Sequence, residues 1–133
     1  MSHEELINEA FKAMKNAYAP YSRYHVGACV LCKDGKTSYG ANIENASYGA
    51  TNCGERSAIF AAYSNGYRKD DIQAIAIVSD GNRIGTPCGI CRQVLTELLD
   101  KDTPILLAIK GEEMTVLVKD LMPAVFGPED LAE

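Results

Sequence analysis

Three of the five cysteines in this chain stand where two predicted helices begin, and they restrict how the chain can fold. Cys53 begins a helical stretch that runs to Ser64, and Cys88 and Cys91 lie at the start of a second helix that opens with Thr86-Pro87. Residues three apart lie on one side of a helix, and helix N-termini stabilise thiolates. If the two helix starts meet, the three sulfurs can hold one metal ion.

Zinc is the natural ion for a thiolate cluster, since it accepts tetrahedral sulfur ligands and has no redox chemistry. Three protein ligands leave one position for water, which is the catalytic pattern rather than the structural one. The alternative is a structural site completed by Cys29 or Cys32, or by His3 or His25, although neither histidine has ligand spacing to the cysteines. Cys29 and Cys32 lie three apart on a predicted strand and therefore point to opposite faces, and Cys29 is expected in the core.

Glu55, two residues after Cys53, is the candidate for proton transfer. A carboxylate beside an open metal position can act as general base and then as general acid. Taken alone, Glu55 is better explained by a capping box with Asn52, and only the open metal position beside it favours proton transfer. Three thiolates leave a divalent ion with net negative charge, so Arg56 is expected to donate hydrogen bonds to the sulfurs. Arg92 either shares that role or points to solvent.

The pattern of the whole chain predicts one α/β domain over residues 1–133, with a mixed sheet and helices packed on it. A capping box of Ser2 and Glu5 opens the first helix, whose apolar positions continue to Ala17, and Pro20 stops it. Beyond it, strands are predicted at 26–32, 37–42, 72–79, 104–110 and 114–118, and helices at 53–64, at 86–100 and from 119 onward.

Charge and composition exclude several classes of protein. The formal net charge of -5 argues against nucleic acid as a partner. No apolar run reaches the length of a membrane span, and the acidic N-terminus lacks the features of a secretory signal. An odd number of cysteines does not suggest a disulfide framework. We therefore expect a cytoplasmic protein without a membrane or nucleic-acid partner.

Two motifs match the signature of zinc deaminases, Cys53-Gly54-Glu55 and Pro87-Cys88-Gly89-Ile90-Cys91. Along nearly its whole length the chain resembles the small, homotetrameric cytidine deaminases. The segments that carry this resemblance are Ala19-Pro20-Tyr21-Ser22, Val26-Gly27-Ala28, Asn42-Ile43-Glu44-Asn45-Ala46-Ser47-Tyr48, Cys53-Gly54-Glu55-Arg56-Ser57-Ala58, Pro87-Cys88-Gly89-Ile90-Cys91-Arg92-Gln93-Val94 and Phe126-Gly127-Pro128-Glu129-Asp130-Leu131.

The resemblance implies the three-layer fold of these enzymes, a mixed five-stranded sheet flanked by helices, with zinc on Cys53, Cys88 and Cys91. It implies hydrolytic deamination of cytidine and deoxycytidine to uridine and deoxyuridine, a reaction of pyrimidine salvage. Zinc activates the water that attacks C4 of cytosine. The resemblance makes Glu55 the proton shuttle, which would protonate N3 during this attack and then carry a further proton to the departing ammonia.

The resemblance also implies a set of substrate contacts. Asn42 and Glu44 match residues that hydrogen-bond the ribose 3′-hydroxyl, and the backbone N–H of Gly54 matches a donor to the pyrimidine carbonyl. Tyr24 stands where a phenylalanine stacks near the base. Phe126 matches a phenylalanine that a neighbouring subunit contributes, so each active site of the homotetramer would need a second chain. The alternative for Phe126 is a tail residue packed on its own domain.

Three positions depart from the family pattern. Tyr24 carries a hydroxyl where phenylalanine is usual, His25 replaces a common proline, and Gly54 replaces alanine. These departures leave open the affinity for the base and the substrate breadth, but not the reaction class. The sequence does not show a preference between cytidine and deoxycytidine. Two other functions also stay open: a deaminase of another amine-bearing substrate, such as blasticidin or a base in RNA, and a non-enzymatic zinc-stabilised binding module in which Glu55 is only a cap.

Overall fold

The computed structural model describes residues 1–131, so Ala132 and Glu133, the end of the predicted domain, lie outside the described residues. This part of the chain forms four α-helices and five strands. In chain order they are α1 (His3–Met14), β1 (Val26–Cys32), β2 (Thr37–Ala41), α2 (Gly54–Ser64), β3 (Ile72–Ser79), α3 (Gly89–Leu98), β4 (Pro104–Ile109), β5 (Glu112–Leu117) and α4 (Val118–Leu121).

The five strands form one mixed sheet in the order β2-β1-β3-β4-β5, which confirms the predicted fold class. Strands β3 and β4 are parallel, and the other neighbours are antiparallel. Helix α3 connects the parallel pair, because parallel strands need a crossover. The predicted Asp34-Gly35 hairpin joins β1 to β2: Gly35 has φ 89° and its N–H donates to the carbonyl of Cys32 at 2.9 Å.

Helices cover both faces of the sheet, which gives three layers. Alternate residues of β1 pack on opposite sides: Cys32 belongs to the core under α2 and α3, whereas Cys29 belongs to the core under α1. Both thiols are buried. The prediction that these two cysteines point to opposite faces is therefore confirmed.

Helix α1 begins as predicted and ends earlier than predicted. The Ser2–Glu5 capping box is present, with the N–H of Glu5 donating to Ser2 Oγ at 3.1 Å. The helix ends at Met14, so the prediction that it includes Ala17 is wrong. Tyr18, the residue after Ala17, donates its N–H to the carbonyl of Asn42 at 2.8 Å. The chain is therefore extended at this point and no longer helical.

Within residues 1–131, none of the helices is both long enough and apolar enough to cross a membrane.

Candidate metal centre and cleft

Helices α2 and α3 both begin at a cysteine. Cys53 caps α2 and Cys88 caps α3, each with extended backbone and without a hydrogen bond from its own side chain to the helix. The prediction that Asn52 caps α2 is wrong, because its Nδ2 donates to Ser57 Oγ at 2.9 Å. Without that cap, Glu55 takes no part in a capping box, and its side chain is available for another role.

The two helix starts meet, and they bring three sulfurs together. The Sγ atoms of Cys53, Cys88 and Cys91 all lie within 4.8 Å of one another, and those of Cys53 and Cys88 are 4.0 Å apart. Tetrahedral zinc with sulfur at about 2.3 Å places its ligands about 3.8 Å apart. Among residues 1–131, no histidine, cysteine or carboxylate joins these three sulfurs as a fourth ligand of the cluster. The three sulfurs thus fit a zinc ion that keeps one position open.

Neighbouring groups favour the deprotonated form of one of the three cysteines. The interaction with the neighbouring Cys91 thiol is the largest of several effects that lower the pKa of Cys53 to about 5, and the nearby Arg56 guanidinium contributes as well. The pKa of Cys91 is raised, because the Cys53 sulfur favours its protonated form and its thiol is buried. Metal binding needs deprotonated sulfur, so the site already favours the ligand form at Cys53.

Glu55 lies beside the sulfur cluster. Only 5% of the residue is exposed, and its Oε1 is 3.0 Å from Cys91 Sγ. Burial raises the pKa of Glu55 to about 7, since a charged carboxylate is poorly solvated there. A carboxyl group with a pKa near neutrality can both accept and return a proton, which suits general acid–base work.

The two arginines that follow the cysteines have different surroundings. Arg56 Nη2 is 3.5 Å from Cys53 Sγ and 3.4 Å from the carbonyl oxygen of Thr51. The structure therefore places a cationic donor against the sulfur, where the sequence predicted one.

Arg92 neither contacts the sulfurs nor points to solvent, so both interpretations of it are wrong. Its Nε donates to the carbonyl of Pro87 at 2.7 Å, its Nη1 to the carbonyl of Leu121 at 2.8 Å and its Nη2 to Thr86 Oγ1 at 2.9 Å. The hydrogen bonds of the Arg92 side chain thus link the segment before Cys88 to the end of α4. The sequence carries no signal for the Leu121 contact, because it joins residues far apart in the chain.

A cleft of about 470 Å³ opens beside the sulfurs. Of the predicted site residues, six line it: Tyr24, Asn42, Glu44, Cys53, Glu55 and Cys88. Gly54 is buried beside Val26 and is not among the lining residues of the described chain. Phe126 is not among them either: it is 58% exposed, and its carbonyl accepts a hydrogen bond from Gln93 Nε2 at 2.8 Å. The structure therefore brings most of the predicted site residues together and leaves Phe126 apart from them.

Asn42 and Glu44 hold the wall of the cleft through backbone contacts. Asn42 accepts from the N–H of Val26 at 2.9 Å and donates to the carbonyl of Tyr24 at 2.7 Å. Glu44 Oε1 accepts from the N–H groups of Tyr21 and Ser22 at 2.9 and 3.0 Å, and the Ser22 hydroxyl donates to Glu44 Oε2. The hydrogen bond from the Ser22 hydroxyl is the main cause that keeps the pKa of Glu44 below its usual value.

Ser79, which no motif or spacing in the sequence singles out, also lines the cleft. It is the last residue of β3 and lies two residues after Ile77, on the same face. The residue is 5% exposed, and its Oγ has no hydrogen-bond partner among the described residues. A buried hydroxyl without a partner is unfavourable in the free protein, so the cleft contains a polar group that a ligand or water can satisfy.

Comparison with known proteins agrees with this geometry. Residues 1–107 match the family model for the cytidine and deoxycytidylate deaminase zinc-binding region. A cytidine deaminase from Halalkalibacterium halodurans is 51% identical over 132 residues, covering 98% of each chain. One from Sporosarcina psychrophila is 44% identical over 133 residues, covering 99% of this chain and 96% of its own. The crystal structure of a cytidine deaminase from Burkholderia pseudomallei superposes with a TM-score of 0.92 at 43% identity, covering 95% of this chain and all of that one.

Proposed function

The chain belongs to the cytidine deaminase family, and from this premise we infer that it is a single-domain, zinc-dependent hydrolase that converts cytidine to uridine with release of ammonia. We extend the proposal to deoxycytidine and to a role in pyrimidine salvage. The observation that carries it is the cluster of three sulfurs with Glu55 at the edge of an open cleft. Zinc thiolates persist in a reducing compartment, so the reaction is assigned to the cytoplasm.

Cys53, Cys88 and Cys91 would hold the zinc ion. When bound, zinc supplies a Lewis acid that lowers the pKa of a water molecule to about 7. Glu55 would take one proton from the water and pass it to N3 of the base as the water oxygen bonds to C4. It would then take the remaining proton from the new C4 hydroxyl and deliver it to the amine, so that the C4–N bond breaks, the C4 carbonyl forms and ammonia leaves. Its burial and its pKa of about 7 support both directions of transfer.

One neighbour supports the work of Glu55 without moving protons itself. Arg56 Nη2 donates toward Cys53 Sγ, which reduces the electron density that the sulfur gives to zinc. A less electron-rich zinc ion activates water better, and this offsets the negative charge of three thiolates. Arg56 is therefore proposed as the support of the metal ligands.

Asn42, Glu44, Gly54 and Tyr24 are proposed to bind the nucleoside. Glu44 Oε2 receives a hydrogen bond only from Ser22 among the described residues, so it keeps a lone pair for a sugar hydroxyl. Asn42 keeps one N–H for the same hydroxyl after its bond to Tyr24. Gly54 opens α2, where its backbone N–H can donate to the pyrimidine carbonyl. Tyr24 offers an aromatic face along the wall of the cleft.

A homotetramer with active sites shared between subunits completes the proposal. Phe126 leaves most of its surface exposed on its own chain instead of packing on its own domain. An exposed aromatic ring near a chain end is available to a second copy of the protein. This supports the interpretation in which Phe126 contacts the nucleoside of a neighbouring subunit.

The substrate is tested by measuring ammonia release from cytidine, deoxycytidine, blasticidin and cytosine-containing oligonucleotides. We expect release from the two nucleosides. Release from blasticidin or oligonucleotides alone would overturn the proposal in favour of another deaminase. The binding-module alternative has lost its main support, because Glu55 makes no capping box with Asn52.

A further inference from the structure

The ring of Tyr24 lies against the loop that connects β3 to α3. Two glycines of this loop face it. A Cβ atom added to Gly85 would lie 2.5 Å from Tyr24 Oη, and one added to Gly81 would lie 2.9 Å from Tyr24 Cε1. Carbon atoms in contact are usually about 3.5–4.0 Å apart, so neither position has room for a side chain while the ring stays where it is.

Backbone conformation does not explain these two glycines. Gly35, Gly66 and Gly111 have φ values of 89°, 94° and 86°, which other residues rarely adopt. Gly81 and Gly85 lie outside that region, so alanine fits their backbone. At Gly85 the nearest ring carbon, Tyr24 Cζ, would be 3.8 Å from the added Cβ, which is an ordinary contact. The conflict at position 85 therefore comes from the hydroxyl of Tyr24.

The backbones on the two sides of this contact are tied together. Asp80, the first residue of the loop, accepts from the N–H of His25 at 2.9 Å and contacts the His25 ring at 2.6 Å. The carbonyl of Tyr24 is bonded to Asn42, and the N–H of Tyr24 donates to Ser22 Oγ at 3.0 Å. The loop is held at its other end as well, where Arg92 donates to Thr86 Oγ1 and to the carbonyl of Pro87. With the loop held at both ends, we expect a methyl group added at position 85 to displace the tyrosine ring rather than the chain.

Tyr24 borders two cavities. Tyr24, Gly85 and Thr86 line both the cleft of about 470 Å³ and a neighbouring cavity of about 760 Å³. Because Tyr24 lines the cleft, a displacement of its ring changes the width of the cleft. The position of the Tyr24 ring therefore determines how wide the cleft is.

We propose that Gly81 and Gly85 are positioning residues for the nucleoside site: they form a slot that fixes the ring of Tyr24 and thereby the width of the cleft. Gly85 is required because residue 24 carries a hydroxyl group. Tyr24 and Gly85 act as a pair that sets how tightly a pyrimidine nucleoside is held. This inference rests on the proposed function, because it takes cytidine as the ligand of the cleft.

The pair is tested with G85A, Y24F and the double variant Y24F/G85A, using kcat and KM for cytidine deamination. G85A is expected to raise KM about tenfold, the size of a typical coupling between contacting residues, with zinc content and folding retained. In the Y24F background the same change is expected to alter KM less than about threefold, because the conflicting oxygen is gone. G49A is the matched control, since a Cβ there meets nothing within 4 Å and the backbone is ordinary.

Two results would overturn the inference. The first is an equal effect of G85A on KM in the wild-type and Y24F backgrounds. The second is a crystal structure of G85A in which the Tyr24 ring keeps its place. The crystal structure needs no turnover, so it tests the slot even if the wild-type chain fails to deaminate cytidine. In that event the proposed function fails, and a displaced ring still supports the slot.

Discussion

At the scale of single residues, each cysteine has a role that its neighbours define. Cys88 lies at the exposed edge of the sulfur cluster, whereas Cys29 lies in the core under α1. Cys88→Ala removes one of three ligands, and we expect loss of zinc and of stability together, because metal binding contributes to folding free energy. Cys29→Ala is the matched control, expected to keep zinc and to lose only packing. Zinc analysis and urea unfolding of both variants check this. Full zinc retention by the Cys88→Ala variant would contradict it.

Glu44 makes a residue-scale prediction about pH. Its pKa is lowered in the folded protein, first of all by the Ser22 hydroxyl, so the ionised carboxylate stabilises the fold above its unfolded-state pKa of about 4.3. That contribution is lost as the pH falls through the lower, folded-state value. Urea unfolding of the wild type and Glu44→Gln should therefore differ by a constant amount between about pH 6 and 8 and converge at acid pH. A difference that grows on acidification would contradict the assignment.

At the scale of elements, Arg92 joins α3 to α4 and to the segment before Cys88. Arg92→Ala leaves the carbonyls of Pro87 and Leu121 without their donor. We expect the free energy of unfolding to fall by about 1–3 kcal/mol, the usual cost of losing hydrogen bonds to a charged group. Urea unfolding measures this, and Arg83→Ala is the control from an exposed loop position. Equal free energies of unfolding for the two variants would show that the hydrogen bonds of Arg92 do not stabilise the fold.

The elements that depend on local pattern were predicted well from the sequence. Strands β1 and β3 have the predicted bounds, because runs of apolar residues are followed by clear turn residues. Helix α3 starts at Gly89, so placing Pro87 in its first turn was wrong. Cys88 takes the cap position instead, and a pattern of apolar residues does not distinguish a cap from a first turn.

In the site too, features set by local spacing were predictable from the sequence, whereas features set by long-range packing were not. Spacing alone indicated that Cys88 and Cys91 share a helix face, and the meeting of α2 with α3 places Cys53 beside them. The hydrogen bonds of Arg92 and the unpartnered hydroxyl of Ser79 arise from long-range packing, which no local spacing encodes. Sequence reasoning therefore reached the three sulfurs, Glu55 and Arg56, and it missed Ser79 and the hydrogen bonds of Arg92.

At the scale of the whole molecule, the proposed sharing of active sites between subunits predicts how mixed assemblies behave. In a homotetramer whose sites combine Glu55 of one subunit with Phe126 of another, Glu55→Gln and Phe126→Ala each impair every site. Hybrids of the two variants contain some sites with both native residues, so mixing after dissociation and reassembly should restore part of the activity. Mixing without dissociation is the control. Activity of the hybrids no greater than the sum of the parents would contradict a shared site.

The sulfur cluster, the open zinc position and Glu55 act together in one proposed reaction. The most direct test is the loss of cytosine absorbance with cytidine as substrate, measured for wild type and Glu55→Gln at matched zinc content. We expect about one zinc per chain in both proteins, as a single three-sulfur site requires. The rate of the variant should be lower by roughly 10²–10⁴-fold or more, because the group that moves the protons is gone. A zinc-loaded Glu55→Gln protein that works at close to the wild-type rate would contradict this mechanism.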